Sequence, residues 1–272
     1  MTKALTPAPP PQPMLPFEHA IARYEAIRDR LPRAAAPVVP KLAGSLAETF
    51  GSYDGYLFDS FGVLNVGDSA IPGAADCLGV LRRTGKPFCI LTNAASYTSA
   101  EAFHKYQKLG LDVRQEEILS SRDVLLGEIE SLHPGLLWGA IAAPEDDFHD
   151  TRSRLIHLRG ADWQAVEGFV FLSAVGWTEA DQNRLVAALI ARPRPVLVGN
   201  PDLVAPREGG LTVEPGFWAQ DIQDRTGIPV TCFGKPFPQA FALAAARTGG
   251  GRLAMVGETL HTDILGGQAA GH

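Results

Sequence analysis

Four apolar runs of this chain end in residues equipped for chemistry. Tyr56-Leu57-Phe58 leads into Asp59-Ser60-Phe61-Gly62-Val63-Leu64, and Phe88-Cys89-Ile90-Leu91 leads into Thr92-Asn93. Ile228–Cys232 is followed by Gly234-Lys235-Pro236, and Leu253–Val256 by Gly257-Glu258, with Asp263 shortly beyond. The four ends offer a carboxylate, a hydroxyl with an amide, an ammonium group and a carboxylate pair. Gathered in one place, such groups could hold a divalent cation and a phosphate. Carboxylates and carbonyls suit Mg²⁺, whereas the lysine and the small donors suit phosphate oxygens.

For these residues to meet, the apolar runs must be strands of an α/β fold. The runs are apolar throughout rather than alternating, which predicts strands buried on both faces. Helical stretches separate them: Pro72–Arg83, Thr98–Leu109, Thr178–Ala191 with Thr178 as its cap, and Pro236–Arg247. Strands alternating with helices predict a doubly wound parallel sheet with right-handed crossovers. Ligands of such a sheet bind beyond the carboxyl ends of its strands, where the four motifs fall. Further apolar runs at Leu136–Ala142, Gly168–Val175 and Pro195–Val198 lie between Asn93 and Lys235, a stretch too long for a loop. Residues 124–227 are therefore expected to form an inserted α/β domain, with 17–123 and 228–272 as the two parts of the core. Residues 1–16 hold six prolines and are expected to be a disordered, extended tail. Phe17, Ile21, Tyr24, Ile27 and Leu31 follow at helical spacing, and Pro32 is expected to end that helix.

Composition narrows the function classes. With 46% hydrophobic and 20% charged residues, the 272-residue chain can bury a sizeable core. A net charge of −6 and no basic stripe argue against a nucleic-acid partner. No apolar stretch reaches membrane-spanning length, so no membrane partner is expected. Cys77, Cys89 and Cys232 are odd in number and far apart, which suits reduced thiols in a cytoplasmic protein. The acidic run Glu145-Asp146-Asp147 reads as an exposed loop.

The motifs, in their order, resemble those of the haloacid-dehalogenase-like (HAD) superfamily. The closest likeness is to subclass IIA, the nitrophenyl-phosphatase and N-acetylglucosamine-operon type. Asp59-Ser60-Phe61-Gly62-Val63-Leu64 is similar to the first motif, Thr92-Asn93 to the second, Gly234-Lys235-Pro236 to the lysine motif, and Gly257-Glu258 through Asp263-Ile264 to the fourth. The likeness spans roughly residues 45–270. It implies a HAD-like Rossmannoid core with a C2-type cap, and a Mg²⁺-dependent phosphomonoester hydrolase acting on a small phosphorylated metabolite through an aspartyl-phosphate. By position, Asp59 would be the nucleophile and a metal ligand. Phe61 would give only its main-chain carbonyl to the metal, and Glu258 and Asp263 would complete the metal set. Thr92, Asn93 and Lys235 would bind phosphate, with Lys235 also serving catalysis. Asn200-Pro201-Asp202 resembles a cap segment, which makes Asp202 a substrate-facing candidate beside Trp177 and Trp218. Caps of this subclass often meet in homodimers.

The chain departs from the pattern in three places. Phe61 stands where the phosphatases carry an acid/base aspartate, a loss worth about 10²–10⁴ in rate. Glu258 replaces an aspartate. The chain also stops inside the expected last helix, as a truncated core would. Two other readings stay open: a non-catalytic module that binds a phosphorylated ligand, and a dehalogenase-type hydrolase.

Overall fold

The computed structural model describes residues 12–34, 39–207 and 210–272. Four strands form a parallel sheet in the order Leu253–Val256, Gly55–Phe58, Phe88–Thr92, Ile118–Ser120. Every residue of the latter three is buried, which explains their unbroken apolar character. Leu253–Val256 pairs on one side only among the described residues, and its last three residues are half-buried.

Crossover helices Ala74–Arg83 and Ser99–Lys108 join the first strands. Ser99–Lys108 opens on a capping box in which Thr98 and Glu101 satisfy each other's backbone N–H groups. Ser120 with Asp123, and Thr178 with Asp181, do the same for helices Ser121–Leu132 and Glu179–Ala191. Each such cap is worth about 1 kcal/mol. The helix expected from Pro72 starts at Ala74, because Gly73 takes a left-handed φ of 86°. The first helix ends at Ala26, and a 3₁₀ turn, Arg28–Arg30, carries the chain on towards Pro32.

A second, five-stranded parallel sheet runs Thr231–Cys232, Val196–Val198, Gly168–Phe171, Leu137–Ile141, Arg154–His157. Thr231–Cys232 thus extends this sheet, and the chain passes from it directly into Lys235. Helices Ser121–Leu132 and Pro238–Arg247 pack on each other. They share one buried cluster with Leu57 and Leu91 of the first sheet and Trp138, Val170 and Leu197 of the second or its flank. Burying a large apolar side chain fully contributes about 1.5–3 kcal/mol, so this shared layer ties the two sheets firmly together.

A small antiparallel sheet joins Met14–Leu15, Gly210–Val213 and Val204–Arg207. Residues 1–11 of the proline-rich segment lie outside the described residues. Met14 and Leu15, by contrast, are strand rather than disordered tail, because the Pro13 carbonyl and the residues after it pair with Leu211–Val213. No described helix is long and apolar enough to cross a membrane.

Candidate active site

Asp59 follows directly on the strand Gly55–Phe58, and its N–H donates to the Val256 carbonyl of the neighbouring strand at 2.8 Å. The turn beyond it is fixed from inside. Tyr106 donates its hydroxyl to Ser60 Oγ at 2.7 Å, and Ser60 donates to Asn65 Oδ1 at 2.9 Å. Gly62 has φ 90°, and a Cβ there would lie 2.8 Å from the Glu258 carboxyl carbon. The longer side chain of Glu258 therefore occupies space that a residue other than glycine would fill.

Lys235 reaches the same point from the second sheet. It is 2% exposed, and its Nζ bonds the Asp59 carboxylate and lies 2.7 Å from Asp263 Oδ1. Asp263 sits in the wide turn Leu260–Ile264, where its Oδ2 accepts the Thr259 N–H at 3.1 Å. That turn presses so closely on the preceding strand end that a Cβ at Gly257 would lie 2.3 Å from Asp263 Cβ. Carboxylate oxygens of Asp59, Glu258 and Asp263 all fall within 4.8 Å of one another.

The electrostatics are unbalanced. Burial and the Asp263 charge raise the Asp59 pKa, against the pull of Lys235. Burial, Asp59 and Asp263 likewise raise Glu258. Burial works against the Lys235 charge, yet Asp59 and Asp263 outweigh it and hold the ammonium above its usual pKa. The buried Asp263 Oδ1 lies 2.7 Å from the Lys235 ammonium, so a single cation serves both Asp59 and Asp263. Three hard oxygen donors and three carboxylates against one ammonium fit a hard divalent cation.

Thr92 and Asn93 end the strand Phe88–Thr92 and are both buried. Thr92 Oγ1 accepts the Ala94 N–H at 3.2 Å, which leaves the hydroxyl proton to donate into the cavity. Asn93 is a joint. Its Oδ1 accepts the Lys235 N–H at 2.7 Å, and its Nδ2 donates at 2.8 Å to both the Lys235 carbonyl and Asp202 Oδ1. Its side chain is thereby spent on holding the lysine loop and Asp202, so only its backbone remains for an anion.

A cavity of about 760 Å³ opens above these groups. The expected residues Asp59, Phe61, Thr92, Asn93, Asp202, Lys235 and Glu258 all line it, while Asp263 lies just beneath. Trp177 and Trp218 do not. Both are buried among the apolar residues of the second sheet and its helices, and Trp177 donates to Gln182 Oε1 at 3.0 Å. The acidic run is not wholly exposed either, because Asp146 is buried against Arg122.

Several lining residues escaped the sequence reading. Tyr24, from the first helix, accepts the Leu203 N–H at 3.2 Å and stacks on His261 with ring centroids 4.5 Å apart. Its position on the apolar stripe was the only signal. Arg207 places its guanidinium 5.7 Å from the Phe61 ring centroid and 3.5 Å from Glu214. Nothing in the local sequence marks it.

Two family models match the chain: one described as haloacid dehalogenase-like hydrolase over residues 56–145, and one as HAD-hydrolase-like over 232–272. Among curated relatives, an acid sugar phosphatase of Staphylococcus aureus is 25% identical over 220 residues, covering 79% of this chain and 82% of that one. A glycerol-3-phosphate phosphatase of Gallus gallus is 28% identical over 254 residues, covering 85% and 81%. A possible sugar phosphatase of the HAD superfamily from Cytophaga hutchinsonii superposes with a TM-score of 0.75 at 27% identity, covering 85% and 87%. With models of one superfamily matching both halves of the core and its parallel-sheet architecture in place, the chain resembles the haloacid dehalogenase-like hydrolases in sequence and in fold.

Proposed function

We propose that the protein is a Mg²⁺-dependent phosphomonoester phosphatase of subclass IIA that acts on a small phosphorylated metabolite. The observation that carries this reading is Lys235 Nζ, bonded to Asp59 and paired with Asp263 at the floor of the cavity. In this reading Asp59, the main-chain carbonyl of Phe61, Glu258 and Asp263 hold the ion. When bound, Mg²⁺ supplies positive charge between the nucleophile and the phosphoryl oxygens.

The chain's own groups do the rest. An Asp59 carboxylate oxygen attacks phosphorus, the bond to the leaving oxygen breaks, and an aspartyl-phosphate forms. Lys235 and the Thr92 hydroxyl stabilise the equatorial oxygens. Asn93 fixes the lysine loop, and residues 124–227 act as the cap that covers the site and meets the leaving group. The relatives named as sugar and glycerol-3-phosphate phosphatases support a small polyol or sugar phosphate as substrate. Three free cysteines suit a cytoplasmic setting.

The test is hydrolysis of 4-nitrophenyl phosphate with and without Mg²⁺, in the wild type, Asp59→Asn and Phe61→Asp. The expected result is wild-type turnover that chelator stops and that Asp59→Asn lowers by at least about 10⁴-fold. Turnover found only in Phe61→Asp would replace this reading with that of a phosphate-ligand-binding module.

A further inference from the structure

A phosphate ester of an ordinary alcohol leaves as an alkoxide unless something protonates it, so a cleft that cleaves such esters needs a proton donor near the leaving oxygen. Phe61, two residues past the nucleophile and half-buried at the cavity wall, cannot move a proton. Among the described residues, five carboxyl groups line the cavity: Asp59, Asp68, Asp202, Glu214 and Glu258. Asp59 is committed to phosphorus. Glu258 stands with Asp59 and Asp263 in the cation set. Asp68 is exposed on the short hairpin that joins Asn65–Val66 to Ser69–Ala70. Glu214 is held on both oxygens, by Asn200 Nδ2 at 3.2 Å and Thr212 Oγ1 at 3.4 Å.

Asp202 differs from the other four. Only its Oδ1 is engaged, by Asn93 Nδ2 at 2.8 Å, and its Oδ2 accepts no hydrogen bond among the described residues. Its backbone is pinned on both sides. Its N–H donates to Asn200 Oδ1 at 3.0 Å, and its carbonyl accepts the Gly216 N–H at 3.0 Å. Asp202 is therefore a cavity-lining carboxyl held at one oxygen and at its backbone, with its second oxygen unengaged among the described residues, and coupled through Asn93 to the loop that delivers Lys235. The charged and titratable groups around it are Lys235, Asp59, Asp263 and the Tyr24 hydroxyl. Burial raises its pKa to about 7, against the pull of Asn93 and Lys235. A carboxyl so placed carries a proton near neutrality and can also accept one.

We propose that Asp202 is the general acid and base of this site, in the place that Phe61 leaves vacant. This inference rests on the phosphatase reading. As the P–O bond to the leaving group breaks, its electron pair stays on oxygen and takes the Asp202 proton. In the second half, a water attacks the phosphorus of the aspartyl-phosphate and gives its proton to the Asp202 carboxylate. Asp59 leaves as carboxylate, inorganic phosphate departs, and Asp202 is protonated again.

The experiment compares kcat/KM for two substrates of nearly equal size, 4-nitrophenyl phosphate and phenyl phosphate, in the wild type and in Asp202→Asn. Phenol, with a pKa of about 10, needs the proton, whereas the far more acidic nitrophenol does not. The expected result is a near-level pair of values in the wild type. In Asp202→Asn, phenyl phosphate should fall by about 10²–10⁴-fold, with 4-nitrophenyl phosphate changed by less than about tenfold and phosphorylated Asp59 accumulating in the intact mass. Adding Phe61→Asp to Asp202→Asn should restore phenyl phosphate. Equal losses on both substrates would overturn the proposal, because a merely structural role moves both alike. A steep preference for the nitrophenyl ester in the wild type would overturn it even if the variant does not fold. A wild type that cleaves neither ester would instead remove the phosphatase reading beneath it.

Discussion

Arg122 and Lys235 are both fully buried cations facing two aspartates, yet they leave their surroundings in opposite states. Arg122 donates twice to Asp146, twice to Asp150 and once to the Ala95 carbonyl, so all five of its N–H groups are used. Asp150 remains partly open to water. Lys235 faces Asp59 and Asp263, with Glu258 alongside, so one ammonium stands against three carboxyl groups. The first cluster is closed and holds the loop after Leu137–Ile141 to the start of helix Ser121–Leu132. The second is open, with surplus negative charge under a cavity. A closed ion cluster spends its bonding capacity on the fold, whereas an open one keeps it for something that arrives later.

The largest effects should separate the two. Lys235→Met is expected to cut turnover of 4-nitrophenyl phosphate by about 10³-fold while the protein stays folded. Arg122→Met leaves the buried Asp146 and the partly open Asp150 without their cation, a loss of about 3–5 kcal/mol. Thermal denaturation should then show a midpoint lower by roughly 10 °C, with turnover per folded molecule within a few-fold of wild type. If Arg122→Met instead loses turnover without losing stability, the contrast between the two clusters is wrong.

A smaller effect sharpens the same contrast without an activity assay. A cation that binds only the folded open cluster stabilises it by about 2.7 kcal/mol at a hundred times its dissociation constant. The wild-type melting midpoint is expected to rise by roughly 5–10 °C in saturating Mg²⁺, and Asp263→Asn should abolish most of that rise. Arg122→Met should keep it from its lower starting point. An equal rise in Asp263→Asn would place the ion elsewhere.

The open cluster was legible in the sequence and the closed one was not, for a physical reason. Asp59, Thr92 and Glu258 each follow an apolar run, and a parallel sheet brings the carboxyl ends of its strands together whatever the loops do. Lys235 carried its own local signal between Gly234 and Pro236, although it arrives from the second sheet rather than the first. Arg122 and Asp146 have no such marker. Arg122 sits in the helix Ser121–Leu132, which no motif singles out, Asp146 in an acidic run that reads as solvated, and only packing joins them. The same holds for Tyr24, whose backbone partner Leu203 is far along the chain. For Asn93 the position was legible but not the bonding, since its amide is used within the protein. Trp177 and Trp218 fill the interior instead of the cavity, as large apolar side chains do when an interior is available.

The smallest expected effect lies at the cavity's edge, where the Glu214 carboxyl is held by two neutral donors with the Arg207 guanidinium 3.5 Å away. Burial raises the Glu214 pKa from the ordinary glutamate value of 4.5 to about 7, with Arg207 and Thr212 pulling the other way. The folded state therefore holds this proton more tightly than the unfolded chain does. Its contribution to stability is complete below about pH 4.5, declines as pH rises towards 7, and levels off above that. Glu214→Gln carries no charge to bury and keeps an acceptor for Asn200 Nδ2. Melting curves across pH should show the variant gaining on the wild type between pH 5 and 8, by a few degrees at most because Arg207 offsets part of the penalty. Parallel curves for the two proteins would mean that Glu214 is ionised alike in both states. Arg207 and the neutral donors would then hold this carboxylate as well as water does.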